Sequence, residues 1–319
     1  MHLARRILCL VALLPGRSLM ADHGPGTSGG GLSVQSGEVL KRGAWAFEMR
    51  SDYTAFKVAG DAEITAKATA AGDIDVLDRS QLHGVSLAFG VAENLQLSAS
   101  FGYYSASGGG TVRYDPNSGG LSRSSNEPTG LTDLWINGKW ALYKGPAGRF
   151  ALFGGVKFPT GKKDVHDSNG DAVDFASTPG SGATDFMAGL GYSTYLTSQL
   201  TLDASAVHTF RGTYHDYRLG DRTEAGVAVG WRFTESIQTF PQYRAFLELN
   251  YRSNGKVKVQ SERDGNTGGS AVFLSPGLHF GFSPHAALSL TAQLPLRQSP
   301  NGAQIETKLK VVASLSLSF

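Results

Sequence analysis

The chain has 319 residues, 29 basic against 27 acidic, and a net charge of +2, a balance that argues against a nucleic-acid binder. Charged residues make up 18%, below the usual share of about 25%, and 41 glycines without a collagen period fit tight turns and close packing in a β-domain. Cys9 is the only cysteine, so neither disulfides nor a metal-thiolate centre is available.

In chain order, residues 1–21 read as a secretory signal peptide. Arg5 and Arg6 supply the positive start and residues 7–14 an apolar run, with Ala21 as its end. That run is too short to span a bilayer as a helix, which takes about 20 residues. Residues 22–42 are rich in Gly and Ser, lack periodicity and read as a flexible lead-in.

From residue 43 the pattern alternates with period 2, which places successive side chains on opposite faces of a strand. The expected strands are 43–53, 82–91, 95–105, 131–143, 149–158 and 183–196. They continue with 200–211, 222–233, 243–252, 271–282, 287–296 and 305–319. In 222–233, Val227, Val229, Trp231 and Phe233 alternate with Gly226, Gly230 and Arg232. In the terminal strand the odd positions run Ile305, Thr307, Leu309, Val311, Ala313, Leu315, Leu317, Phe319. Ending on an aromatic carboxylate resembles bacterial outer-membrane barrels, whose assembly machinery reads a last-strand Phe.

Short connections at 92–94, 144–148, 197–199 and 283–285, with a medium one at 234–242, alternate with long ones. The long ones are 54–81, 106–130, 159–182, 212–221, 254–270 and 297–304. Outer-membrane barrels have short periplasmic turns and longer extracellular loops. The fold expected is therefore all-β: a transmembrane antiparallel up-and-down β-barrel over 43–319, bacterial outer-membrane type, with about 12 strands. Weak alternation at 64–70 leaves ten or fourteen strands open. A soluble β-sandwich leaves the signal segment and the terminal Phe unexplained. Its strands would also be shorter, with a mode of about 5–6 residues.

In such a barrel the polar face lines the lumen. The candidate lining residues are Glu48, Arg50, Lys139, Lys157, Asp203, Arg211, Arg222, Glu224, Arg232, Arg244, Glu248, Arg252, Glu306, Lys308 and Lys310. Basic groups outnumber acidic ones. Two readings stand side by side: a polar path with slight anion preference, or an internal salt-bridge network that keeps the barrel rigid and closed.

Residues His166-Asp167-Ser168-Asn169-Gly170 resemble the His-x-Ser-Asn-Gly stretch of outer-membrane phospholipase A. Nucleophilic chemistry needs a serine beside a histidine base. Here the stretch sits in a polar loop between Lys162-Lys163-Asp164 and Asp171, and no matching orienting Asn follows. The acidic set Asp164, Asp167, Asn169, Asp171 and Asp174 misses the EF-hand pattern, because Ala172 stands where glycine belongs. His83, His208, His215, His279 and His285 form no metal-ligand pair, so no metal or organic cofactor is expected.

From the fifth expected strand onward a family pattern emerges. Phe158-Pro159-Thr160-Gly161 closes that strand, and Pro179-Gly180-Ser181-Gly182 with Asp185 opens the next, followed by Gly189 and Ser193. Leu274-Ser275-Pro276-Gly277 and Gln293-Leu294-Pro295-Leu296 come later. From about residue 82 to 319 the order and spacing of these segments resemble the outer-membrane transporter family named for the meta-pathway of phenol degradation. Thr132 departs from it, standing where glycine is expected. The resemblance implies an outer-membrane barrel for uptake of small, often aromatic or hydrophobic compounds, with no catalytic residues. The implied partners are outer-membrane lipid, small-molecule solutes and the barrel assembly machinery, which would read Phe319. The alternatives are a lipid hydrolase using His166 and Ser168, or a plugged structural or surface-binding barrel.

Overall fold

The structure is a computed structural model and describes residues 31–57, 60–115, 117–173, 177–234, 236, 238–302 and 304–319. The expected signal segment 1–21 lies outside the described residues. Twelve long strands form the wall. They are β1 (Trp45–Phe56), β2 (Arg79–Ala92), β3 (Leu95–Ser107), β4 (Leu134–Gly145), β5 (Gly148–Phe158) and β6 (Asp185–Tyr195). The other half is β7 (Leu200–Phe210), β8 (Arg222–Arg232), β9 (Gln242–Asn254), β10 (Gly269–Ser283), β11 (Ala286–Pro300) and β12 (Thr307–Ser318). Each pairs antiparallel with the next, and β1 pairs with β12 from Ala46↔Ser318 to Phe56↔Thr307. The ring therefore closes and leaves no open edge, the condition for a sheet to stand in lipid.

Period-2 alternation sorts the side chains. In β9, Gln242, Arg244, Phe246, Glu248, Asn250, Arg252 and Asn254 are buried, while Tyr243, Leu247, Leu249 and Tyr251 are exposed. The exposed set continues around the wall with Leu97, Phe101, Ile136, Trp140, Leu190, Val227, Leu278 and Leu290. A contiguous apolar exterior over a polar interior inverts a soluble β-domain and matches a barrel solvated by lipid. The expected strands all appear, with ends moved by a few residues.

The 64–70 stretch is not a strand but part of an α-helix, α1 (Asp61–Ala71). Its alanines favour helix, Glu63 and Lys67 pair at 2.7 Å one turn apart, and Asp61 and Glu63 occupy the first turn. Ile64 and Ala68 fall on one side and pack against Ile74 and Val112. The strand count is thus settled at twelve. The long connections also carry small sheets: Asp73–Val76 with Gly110–Asp115 and Gly120–Ser125, and the four short strands from Thr213–Tyr214 to Glu262–Arg263. At the same end Phe56, Leu77, Leu82, Tyr104, Ala106 and Ile305 gather in one buried apolar cluster.

Candidate functional site in the barrel interior

The main occupant of the interior is the chain itself. Residues 31–44 run inside the barrel from its middle to the short-turn rim, then turn outward into β1. Leu32, Val34 and Ser36 are 2%, 0% and 1% exposed. An irregular segment inside a barrel must find partners for its backbone groups away from any ladder. Wall side chains supply them. Glu248 on β9 accepts from the Leu32 and Ser33 amides, the latter at 2.7 Å. Ser205 on β7 accepts from Gln35 N at 3.1 Å, Ser193 on β6 from Gly37 N at 2.8 Å, and Gln96 on β3 from Leu40 N at 3.0 Å. Arg50 on β1 donates to the Leu32 carbonyl at 3.0 Å, and Gln293 on β11 to Ser33 Oγ at 2.6 Å. Leu32 packs on Phe246 and Val312. Glu38 pairs with Arg149 at 3.2 Å, and Gly43 N reaches the Gly90 carbonyl at the rim at 2.7 Å.

Wall glycines make the room. A Cβ on Gly191 would collide with the Ser36 carbonyl, one on Gly90 with the Lys41 carbonyl, and one on Gly226 with the Val34 side chain. Further glycines serve the wall: the Phe153 ring lies over Gly189 and the Phe246 ring over Gly277. Part of the glycine excess in the composition is therefore a track for the segment.

The charged residues pair into networks. On β1 and β12, Asp52 holds Arg50 at 2.7 Å and Lys310 at 2.5 Å, and Glu48 accepts from Ser314 at 2.5 Å. Toward the long loops Lys157 bridges Asp133 at 2.9 Å and Asp185 at 2.7 Å, and Arg211 joins Asp185 at 2.7 Å. The same carboxylates bind the loop backbones: Asp133 takes Gly161 N and Ser181 N, and Asp185 takes Gly212 N, at 2.9, 3.0 and 2.9 Å. Arg252 pairs with Glu224 at 2.9 Å, and Arg222 donates to Asn254 at 2.8 Å. Lys139 reaches Ser36 of the segment at 3.3 Å, and Asp203 receives the Ser193 hydroxyl. Arg232 donates to the carbonyls of Thr234 and Ser198, and Arg244 to Gln242.

Of the lining residues expected from sequence, Glu48, Arg50, Lys139, Lys157, Asp203, Arg211, Arg222, Arg232, Arg244, Glu248, Arg252 and Lys310 all have their side chains inside, and Glu224 is partly buried. Two do not belong to the buried set. Lys308 is exposed, and Glu306 lies before the strand with its carboxylate on Lys57 at 2.5 Å. The cause is a register shift at Ala55/Phe56, where Thr307 pairs with Phe56 and Leu309 with Ala55. Lys308 is the extra residue of this bulge, and Thr307 takes the inward place. The sequence reading also passed over the neutral residues that grip the segment, Gln96, Ser193, Ser205 and Gln293. Their signal was there: each is a polar residue in the inward phase of its strand.

His166 and Ser168 are both exposed in the long loop between β5 and β6. Ser168 Oγ accepts the Ser125 amide at 3.0 Å, and His166 forms an isolated bridge to Ala172. Among the described residues no hydrogen bond joins the two side chains, and no group of three metal-ligating side chains comes together.

The sequence matches, over residues 25–307, the family model described as "Putative MetA-pathway of phenol degradation". Among solved structures the fold resembles an outer membrane channel from Pseudomonas putida F1, with TM-score 0.61, 12% identity, and 91% of this chain on 100% of that one. The NanC porin aligns with TM-score 0.47 and 9% identity over 85% of this chain and 98% of its own. For the CymD monoaromatic hydrocarbon channel the values are 0.41 and 10%, over 95% and 98%. A search of curated proteins returned no match.

Proposed function

The chain belongs to this phenol-degradation family, whose model spans most of its length, and on that premise we propose that it is an outer-membrane channel for uptake of small solutes, held closed by its own N-terminal segment. The observation that carries the reading is how residues 31–44 are held. Apart from the backbone pair that Gly43 and Ala44 make with Gly90 at the rim, the amides described above are bonded to wall side chains, so residues 31–42 can leave without breaking one ladder bond of the barrel. A barrel whose filling served rigidity alone would have no need of so separable a filler.

Inward aromatic and sulfur side chains support solutes with an apolar body. Trp135, Phe153 and Met187 form one buried cluster inside the wall, with Val207 against it. The hydrolase alternative loses ground, because His166 and Ser168 are neither joined nor placed at the lipid-facing wall. At the closing seam Phe319 N donates to Trp45 O at 2.9 Å while its side chain stays 72% exposed, open to an assembly receptor.

The test is conductance in a planar bilayer of the refolded barrel, intact and with residues 31–41 deleted. The intact barrel should conduct weakly, and the deletion should raise the unitary current several-fold while heat-modifiable gel mobility shows both folded. Equal, near-zero currents from both would sink the channel reading and favour a structural barrel.

A further inference from the structure

On the lipid-facing side of the wall, charge is gathered in one place. In the outward phase of the twelve strands, among the described residues, Lys, Arg, Asp and Glu occur at Arg79 on β2 and Arg297 on β11, and the exposed Lys308 stands near them on the bulge of β12. Lys57, just past β1, is a fourth. All four are at the long-loop end. At that end β5, β6, β7 and β9 present Phe158, Phe186, Phe210 and Tyr251 instead.

Register brings the basic group together, because β11, β12, β1 and β2 follow one another around the ring. Arg79 is directly opposite Ala55, whose other partner is Leu309, next to Lys308. The Gln298 side chain exchanges two bonds of 2.9 Å with the backbone of Thr307, which sets Arg297 beside the start of β12. Strands lie about 4.8 Å apart, so the group spans about 15 Å of the circumference. Arg79, Arg297 and Lys308 make no ion pair with any described residue. The acids nearby are engaged elsewhere. Glu306 holds Lys57 at 2.5 Å, Glu127 accepts the Gly108 amide at 3.1 Å, and Asp78 lies over Gly108. A charge on the lipid face is least costly near the interface, and basic side chains there gain from anionic lipid headgroups.

The wall beneath the charges is graded. Down β2 from Arg79 the outward positions are Gln81, His83, Val85 and Leu87. Gln81 is directly opposite Tyr53, and His83 is opposite Ser51, whose hydroxyl it meets at 3.0 Å. Deeper still, Met49 and Leu87 are 50% and 45% exposed. The face therefore passes from cations through hydrogen-bonding groups to hydrocarbon. On β9 the same descent runs Tyr251, Leu249, Leu247, with no polar step. A phosphorylated glycolipid carries matching groups: phosphate, sugar hydroxyls and acyl chains.

We propose that the outer face of β11, β12, β1 and β2 is a binding site for a phosphorylated glycolipid of the outer leaflet, with Arg79, Arg297 and Lys308 on its phosphates and Gln81 and Tyr53 on its sugar. Guanidinium forks suit phosphate oxygens. The site straddles the seam of β1 and β12, so one bound lipid bridges the two ends of the sheet. The assignment goes beyond the channel reading and holds whether or not the lumen conducts.

The test is binding of fluorescently labelled diphosphoryl lipid A to the full mature barrel in dodecyl maltoside micelles, beside dephosphorylated lipid A and phosphatidic acid. Saturable binding of lipid A is expected. Each of Arg79→Gln, Arg297→Gln and Lys308→Gln should weaken it about fivefold, and the three together about a hundredfold. A control that removes as much charge from the loops, Lys256→Gln with Lys258→Gln and Arg263→Gln, should bind as the wild type does. Equal affinity in the wild type and the triple wall variant overturns the site. So does an equal loss in the loop control, which makes net charge the cause, and so does either comparison lipid binding as tightly as lipid A. Heat-modifiable gel mobility shows which variants fold. Should the triple wall variant fail, the single substitutions carry the test, since each alters one exposed side chain.

Discussion

One carboxylate holds much of the inner segment. Glu248 is 0% exposed, with one oxygen on the amides of Leu32 and Ser33 and the other on Asn250 Nδ2 at 3.0 Å. Glu248→Gln keeps the volume but can present an N–H where both amides need an acceptor. A loss of about 1–3 kcal/mol at that contact follows. The expected readout is longer open times in single-channel records with an unchanged folded band on gels. Lys157 poses the opposite case. It stands between Asp133 and Asp185 with 5% of its side chain exposed. Lys157→Met leaves two buried carboxylates facing each other with Arg211 alone, at a cost of about 3–5 kcal/mol. The gel-mobility transition should move to clearly lower temperature, and Asp185→Asn in the same background should recover part of it. Which side chains point inward was legible from alternation alone. Which charge meets which was not, because pairing depends on the register between strands far apart in sequence. Lys308 shows the limit: strict alternation carried inward from Lys310 fails at a single bulge.

At the level of elements, the wall strands were legible because each repeats a two-residue rule that lipid enforces. The inner segment obeys no such rule. Its partners lie on strands all around the ring, and its sequence mixes Gly and Ser with apolar and charged residues in no period, the look of a linker. The matching sign lay elsewhere, in Gly90, Gly191 and Gly226 on the inward phase of wall strands. Gly191→Val tests that fit: the new side chain meets the Ser36 carbonyl, so the segment should be displaced and the conductance raised while the barrel persists. Helix α1 was hidden by its own brevity, since a few alternating residues fit either period. Its packing rests on Ile64 and Ala68 against Ile74 and Val112. Ile64→Asp should open this loop to protease without changing the conductance of the barrel beneath it.

For the whole molecule, the lipid-facing belt is the stabilising surface. Leu249, 50% exposed in the middle of β9, should tolerate Ala or Phe. Leu249→Arg should cost about 2–4 kcal/mol near the midplane. Lys308→Gln, on the bulge, should leave the urea midpoint in vesicles unmoved. The same architecture fixes an order of events. Leu32 and Glu248 are 216 residues apart in the chain, and contacts of such span form late. The wall, by contrast, joins strands that are neighbours along the chain, apart from the one seam between its first and last strands. A tail rooted in the first strand must already be lying among the others when that seam shuts, or else be threaded afterwards into a finished ring. The molecule is in this respect a vessel whose cork and wall are one continuous piece, so that the cork can be drawn without ever being lost.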